Sequence, residues 1–124
     1  IIEAVLSEKL DAFALEISNQ ATVCVVMANR GYPGAVVNGA VITGLDESGQ
    51  LSSSADTQIF HAGTVRARSG RIEAHGGRIL GVTATADNLP NAVEHVYKAV
   101  EQIKFDGAHY RRDIAARALQ RAVQ

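Results

Sequence analysis

Cysteine, proline, lysine and tryptophan are scarce in this chain, and each scarcity narrows the field. One cysteine in 124 residues leaves no disulfide framework and fits a reducing, cytosolic setting. Cys24 lies in the apolar run Thr22-Val23-Cys24-Val25-Val26-Met27-Ala28, where a small buried hydrophobe is expected rather than a nucleophile. No apolar stretch approaches the ~20 residues of a membrane span. The only lysines, Lys9, Lys98 and Lys104, fall in helical patterns, which excludes a swinging biotinyl or lipoyl carrier with its lysine on a hairpin tip. No glycine-rich loop followed by lysine is present to cradle phosphates. His61, His75, His95 and His109 are scattered without metal-ligand spacing, and Asp46-Glu47 stands without partners. The residues therefore predict no catalytic group, no metal site and no ATP hydrolysis by this chain alone.

What is present is a globular composition. Apolar residues make up 47% of the chain, and its length suits one small domain able to bury about two-thirds of its surface. The net charge of −1 hides an asymmetry. Residues 1–58 carry seven acids against Lys9 and Arg30, whereas residues 59–124 carry ten Lys and Arg against six acids. That is too weak for a nucleic-acid surface but sufficient for a local small-anion site.

Apolar periodicity predicts an amphipathic helix at the N-terminus, with Ile1, Ile2, Val5, Leu6, Leu10 and Phe13 on one stripe. It is expected to continue from an upstream domain, so 1–18 is assigned as a linking helix and 19–124 as the domain proper. Thr22–Ala28 reads as a strand buried on both faces. Tyr32-Pro33-Gly34-Ala35 suits a type II turn, Val36–Thr43 a short strand, and Asp46–Asp56 a polar surface loop. Three strand candidates follow, Gln58–Arg66, Arg71–His75 and Arg78–Ala86, separated at hairpin-like lengths by Ser69-Gly70 and Gly76-Gly77. Asn88–Lys104 is the clearest helix, with Asp87 or Asn88 as cap and Leu89, Ala92, Val93, Val96, Tyr97, Val100 and Ile103 as its stripe. Asp113 can cap a last helix facing inward through Ile114, Ala115, Ala118, Leu119 and Ala122. The predicted class is α+β: a mainly antiparallel sheet, an N-terminal linking helix and two C-terminal helices.

Four motifs occur in order: Val26-Met27-Ala28 with Gly31-Tyr32-Pro33-Gly34, Phe60-His61-Ala62-Gly63-Thr64, Gly76-Gly77-Arg78-Ile79-Leu80-Gly81-Val82-Thr83-Ala84, and Tyr110-Arg111-Arg112-Asp113-Ile114. Together they resemble the C-terminal domain of the phosphoribosylamine–glycine ligases (glycinamide ribonucleotide synthetases), members of the ATP-grasp group. The resemblance implies a cytoplasmic enzyme of purine biosynthesis that joins glycine to 5-phosphoribosylamine while ATP is cleaved to ADP and phosphate. It also implies that ATP and Mg²⁺ or Mn²⁺ are held by an upstream ATP-grasp domain. The chain departs from the family pattern at Ala35-Val36 (usually Asp-Tyr), Arg112 (usually Lys), Ala115 (usually Gly) and a longer loop at Ser48–Ala55.

Within that resemblance the foremost site is the junction before the last helix. A helix start and the guanidinium groups of Arg111 and Arg112 together suit the substrate phosphate, and the two arginines are not separable from sequence. The alternative is a surface pair of one arginine with Asp106 or Asp113. Arg78, beside Gly76 and Gly77, either reaches the same ligand or caps a solvated hairpin turn. His61 either joins the pocket or serves the sheet. Two hypotheses of different class remain: a ligase segment inactive alone, and a stand-alone sugar-phosphate binding or scaffold module.

Overall fold

A computed structural model describes residues 1–52 and 56–121. The expected α+β class is present. Two three-stranded antiparallel sheets share one core with a long helix. The first sheet has the order β1–β6–β3, from Ala21–Ala28, Arg78–Ala86 and Thr57–His61. The second has the order β2–β5–β4, from Ala40–Val41, Ile72–Ala74 and Thr64–Arg66. Helix α2, Leu89–Gln102, packs on β1 and β6.

Helix α2 forms where its periodicity predicts. The Asn88 side chain accepts a hydrogen bond from Asn91 N–H at 2.9 Å, and Pro90 occupies the first turn, where its missing N–H does no harm. Ala92, Val96, Ala99 and Val100 are buried against Val23, Val25 and Met27 of β1 and Leu80, Val82 and Ala84 of β6. Strand parity explains the match: Val23 faces Ala84, Val25 faces Val82 and Met27 faces Leu80, all on the helix side.

That parity corrects the expectation for β1. Only one face is covered by the described residues. Cys24 and Val26 lie exposed on the other face with Phe60 of β3, so Cys24 is not a buried hydrophobe. The N-terminal prediction is corrected as well. Helix α1 covers only Ile2–Leu6, followed by a 3-10 turn at Leu10–Ala12 and extended chain. None of its residues is buried. A five-residue helix without packing has too few hydrogen bonds to offset nucleation, and Glu8 at φ 54° turns the chain out of the helical direction.

The hairpin reading holds for one turn and fails for the other. β4 and β5 pair across Ala67–Arg71, where Ala67 N–H donates to Arg71 O at 2.8 Å. Gly76-Gly77 instead carries the chain from the second sheet to the first, since β5 pairs with β2 and β4 and never with β6. The predicted strand Gln58–Arg66 likewise splits at Ala62-Gly63 and contributes β3 and β4 to different sheets. Gly63 permits that crossing, because a Cβ there would stand 2.4 Å from His75 O and 2.6 Å from Arg78 O. Val36–Thr43 shortens to β2 because residues at both its ends bond elsewhere: Val37 N–H donates to Arg30 O, and Thr43 pairs with Lys104. The Asp46–Asp56 loop is confirmed as turns up to Ser52; its residues 53–55 lie outside the described residues.

The turn after β1 also differs from expectation. The Tyr32–Pro33 peptide is cis, and the turn runs Gly31-Tyr32-Pro33-Gly34, with Gly34 N–H donating to Gly31 O at 2.7 Å. This places proline third in a type VI turn rather than second in type II. The positive φ belongs to Gly31.

Among the described residues Asn29, at the end of β1, is the single buried polar residue, at 0% exposure. Its Nδ2 donates to Val37 O at 2.8 Å and to Gly76 O at 3.0 Å, while Oδ1 accepts from Arg30 N–H at 2.9 Å. Its backbone N–H donates to Gly77 O and its carbonyl accepts from Tyr32 N–H. Replacing it with alanine removes three hydrogen bonds to partly buried backbone groups of Val37, Gly76 and Arg30, each worth about 1 kcal/mol net. Asn29→Ala should therefore lower unfolding free energy by about 2–4 kcal/mol in urea titration.

Candidate functional site

Strand β1 ends beside a cavity of about 460 Å³ lined by Val26, Ala28, Tyr32, Pro33, Arg78, His109, Tyr110 and Arg111. Three features build it. The first is a register shift between β1 and β6: Met27 faces Leu80 but Ala28 faces Arg78, so Ile79 is the extra residue of a bulge. Parity resets there, and Arg78 emerges exposed beside the uncovered face while Ile79 stays buried. The second is the Gly31–Gly34 turn, whose Tyr32 ring lies against Gly77; a Cβ on Gly77 would sit 2.5 Å from Tyr32 Cδ2. The third is the connector after α2. His109 exchanges both backbone hydrogen bonds with Ala28, at 2.8 and 3.1 Å, and so lays residues 109–111 along the end of β1.

Tyr97 of α2 holds the next stretch. Its hydroxyl donates to Arg111 O at 2.9 Å and accepts from Ile114 N–H at 3.2 Å. Its ring meets that of Tyr110 with centroids 6.3 Å apart. Tyr97 is thus half-buried, with a polar task in addition to its expected packing.

The structure separates the two arginines that sequence leaves together. Arg111 lines the cavity and binds Asp113 in a fork, Nε to Oδ1 at 2.9 Å and Nη2 to Oδ2 at 2.7 Å. Hydrogen bonding from Arg111 holds the Asp113 carboxyl below its usual range, and the same bond pushes the guanidinium pKa up. Arg112 stacks over the Tyr110 ring at 5.2 Å and has no carboxylate partner among the described residues. Arg78 also makes no ion pair among the described residues. Asp106 is taken by Arg30 at 2.7 Å. The cavity thus has two cations in its lining and no carboxylate, which suits an anion.

Gly76 and Gly77 stand behind the cavity. Gly76 O accepts from Asn29, Gly76 N–H donates to Asn38 Oδ1, and Gly77 makes room for Tyr32. His61 lies elsewhere, bonded through Nδ1 to Thr64 Oγ1 and through Nε2 to Gly49 O, each at 2.9 Å. Sequence reasoning missed the cavity roles of Val26, Tyr32, Pro33 and His109. The Gly-Tyr-Pro-Gly corner is visible in sequence, but its aromatic wall depends on a glycine 45 positions later. Among the described residues no group of three His, Cys, Asp or Glu side chains converges to hold a metal ion. No helix of the described residues is long and apolar enough to cross a membrane.

The expected last helix, capped by Asp113 and beginning at Ile114 directly after the two arginines, is corrected. Helix α3 begins at Ala116 and runs to Arg121, so the arginines precede it by a turn and its N-terminus does not contribute to the cavity. Asp113 engages Arg111 through its side chain, and only its carbonyl accepts from Ala116 N–H. Ala122, expected on the inner face, lies outside the described residues. The shift originates at Ala115, which has φ 65° and turns the chain before the helix can form.

Comparison with known proteins agrees with this architecture. The family described as "Phosphoribosylglycinamide synthetase, C domain" matches residues 22–117. The chain belongs to that family. It is 40% identical over 121 residues to phosphoribosylamine–glycine ligase of Neisseria meningitidis serogroup A, covering 98% of this chain and 27% of that protein. It is 43% identical over 103 residues to the human trifunctional purine biosynthetic protein adenosine-3, covering 83% of this chain and 10% of that protein. The crystal structure of phosphoribosylamine–glycine ligase from Thermotoga maritima superposes with a TM-score of 0.69 at 32% identity, covering 90% of this chain and 26% of that one. The chain therefore spans about a quarter of these bacterial relatives' length.

A left-handed alanine carries a steric penalty that glycine lacks, of about 1 kcal/mol. Ala115→Gly should raise the unfolding free energy by up to ~1 kcal/mol and leave the fold unchanged, as judged by thermal unfolding and circular dichroism.

Proposed function

We propose that this chain is the C-terminal part of an ATP-dependent carbon–nitrogen ligase acting on glycine and 5-phosphoribosylamine, and that its own task is to hold the sugar phosphate. The observation that carries the reading is the cavity at the end of β1, where Arg78 and Arg111 converge without a lining carboxylate. The names of the family and of its full-length relatives support it.

In the proposed reaction the glycine carboxylate attacks the terminal phosphorus of ATP, giving an acyl phosphate and ADP. The sugar's amine then attacks the acyl carbon, phosphate leaves, and the amide of glycinamide ribonucleotide forms. ATP with Mg²⁺ or Mn²⁺ would supply the activation from the ATP-grasp part of the protein. The residues of this chain offer neither a phosphate-cradling loop nor a metal-ligand cluster among those described. Their contribution is electrostatic and geometric: Arg78 and Arg111 bind the phosphate end, and Arg112 on Tyr110 adds positive potential beside them. Gly76 and Gly77 act indirectly, by setting the wall that carries Tyr32. We assign His61 no contact with the substrate, since Thr64 and Gly49 occupy both of its ring nitrogens.

The uncovered face of the first sheet fits the same proposal. Val26 and Phe60 are 44% and 58% exposed there, flanking Gly81 beside the cavity. In the assembled ligase this apolar face would meet the ATP-grasp part and close the cavity from the open side. The cytoplasm is the proposed setting.

The test is kinetic. In the complete ligase carrying this domain, Arg78→Ala and the double change Arg111→Ala with Arg112→Ala should each raise KM for phosphoribosylamine roughly tenfold to a hundredfold, the loss expected for a charged hydrogen bond. KM for ATP and glycine should stay within a factor of about two. An unchanged KM for phosphoribosylamine in the double variant removes the assignment. The 124-residue chain alone should form no ADP with both substrates present.

A further inference from the structure

Asp113 is not part of the cavity lining, yet it grips one of the two arginines that are. A guanidinium offers two edges for paired hydrogen bonding. The side edge presents Nε and one Nη, and the end edge presents both Nη atoms. Asp113 takes the side edge of Arg111, through Nε at 2.9 Å and Nη2 at 2.7 Å. The end edge is left for a ligand.

The backbone that carries the pair is itself fastened. Tyr97 receives Ile114 N–H and donates to Arg111 O, so one hydroxyl bridges the residues on either side of Arg112 and Asp113. Ala116 N–H donates to Asp113 O. Both charged side chains remain well exposed, at 73% and 63%. An exposed pair two residues apart in sequence contributes little to stability. Its effect is to remove the rotational freedom of a long side chain, so that less is lost when a ligand engages the free edge.

We propose that Asp113 is a positioning residue, which aims the free edge of Arg111 at the phosphate group of the sugar-phosphate substrate. This rests on the phosphate-site reading above. Charge and geometry make opposite demands, which is what renders the idea testable. By charge alone, deleting a carboxylate beside a phosphate site tightens binding of the anion. If Asp113 orients Arg111, deletion weakens it, because an asparagine can accept only through its single amide oxygen and the fork is lost.

The experiment uses the complete ligase with four variants: Asp113→Asn, Asp113→Glu, Arg111→Ala and the double change of Arg111→Ala with Asp113→Asn. Asp113→Asn should raise KM for phosphoribosylamine roughly fivefold to tenfold, with kcat and the KM values for glycine and ATP within about twofold, as expected for an orienting contact. Asp113→Glu, which restores a two-oxygen acceptor, should recover part of the loss. In the Arg111→Ala background, Asp113→Asn should add nothing, since its effect passes through the guanidinium. A lowered or unchanged KM in Asp113→Asn, with Arg111→Ala still impaired, overturns the positioning role and leaves the phosphate site standing. An unchanged KM in Arg111→Ala overturns both. Equal thermal unfolding of Asp113→Asn and the parent protein is expected from the exposure of the pair; a large drop, with kcat and all KM values impaired together, overturns the positioning role in favour of a structural one.

Discussion

A single buried carboxamide holds the site end of this domain together. Asn29 terminates β1 in a place where four backbone segments meet with no ladder left to pair them. Its side chain supplies the two donors and one acceptor that Val37, Gly76 and Arg30 require. The carboxamide itself is fully buried beside the core, so its own polar atoms need these partners, and the partly buried backbone groups of Val37, Gly76 and Arg30 supply them. The crossing at Gly76-Gly77, the turn that carries Tyr32, and the departure of the chain toward β2 are all anchored on it. The cavity is a by-product of that meeting point, opened by the bulge that turns Arg78 outward.

The cations around the cavity show how similar side chains acquire different tasks from their neighbours. Arg78 emerges from a bulge with no ion partner among the described residues. Arg111 is already engaged on one edge by Asp113, and Arg112 lies on an aromatic face. Arg30 and Asp106 neutralise each other nearby. Charge counts along the chain reveal a basic second half, but only the fold decides which of those charges remain available to a ligand.

Much of the architecture is legible in sequence, and the failures have definite causes. Helix α2 is legible because its stripe, cap and first-turn proline agree. Strand β1 is legible in extent, yet its run of Val, Cys and Met gives no sign of which face is left bare. The crossing at Gly76-Gly77 looks like a hairpin loop and the one at Ala62-Gly63 like the interior of a single strand, and only long-range pairing tells them apart. Asn29 escapes notice since an asparagine beside Arg-Gly at a strand end resembles an ordinary turn former. The α3 boundary slips because the left-handed Ala115 is an unusual residue for its conformation, although the family's preference for glycine there marks the position. Of the site, the Arg111 motif and Arg78 are visible as motifs. The wall of Tyr32, Pro33 and His109 arises from long-range contacts, of Tyr32 with Gly77 and of His109 with Ala28.

The crossing at Gly63 has a consequence for how such a domain can vary. The tip of the β4–β5 hairpin at Ser69-Gly70 faces open solvent and can lengthen or change composition without disturbing the rest, whereas the loop after Asp46 is tied to the core through Leu51 and to β3 through Gly49 and Gln50. At Gly63 the carbonyls of His75 and Arg78 stand where any side chain would begin. A side chain at that position would displace the chain just after β5 and the start of β6 at Arg78 together. Substitution at Gly63 is therefore expected to be poorly tolerated, and the placement of a cavity arginine depends on a residue outside the cavity lining.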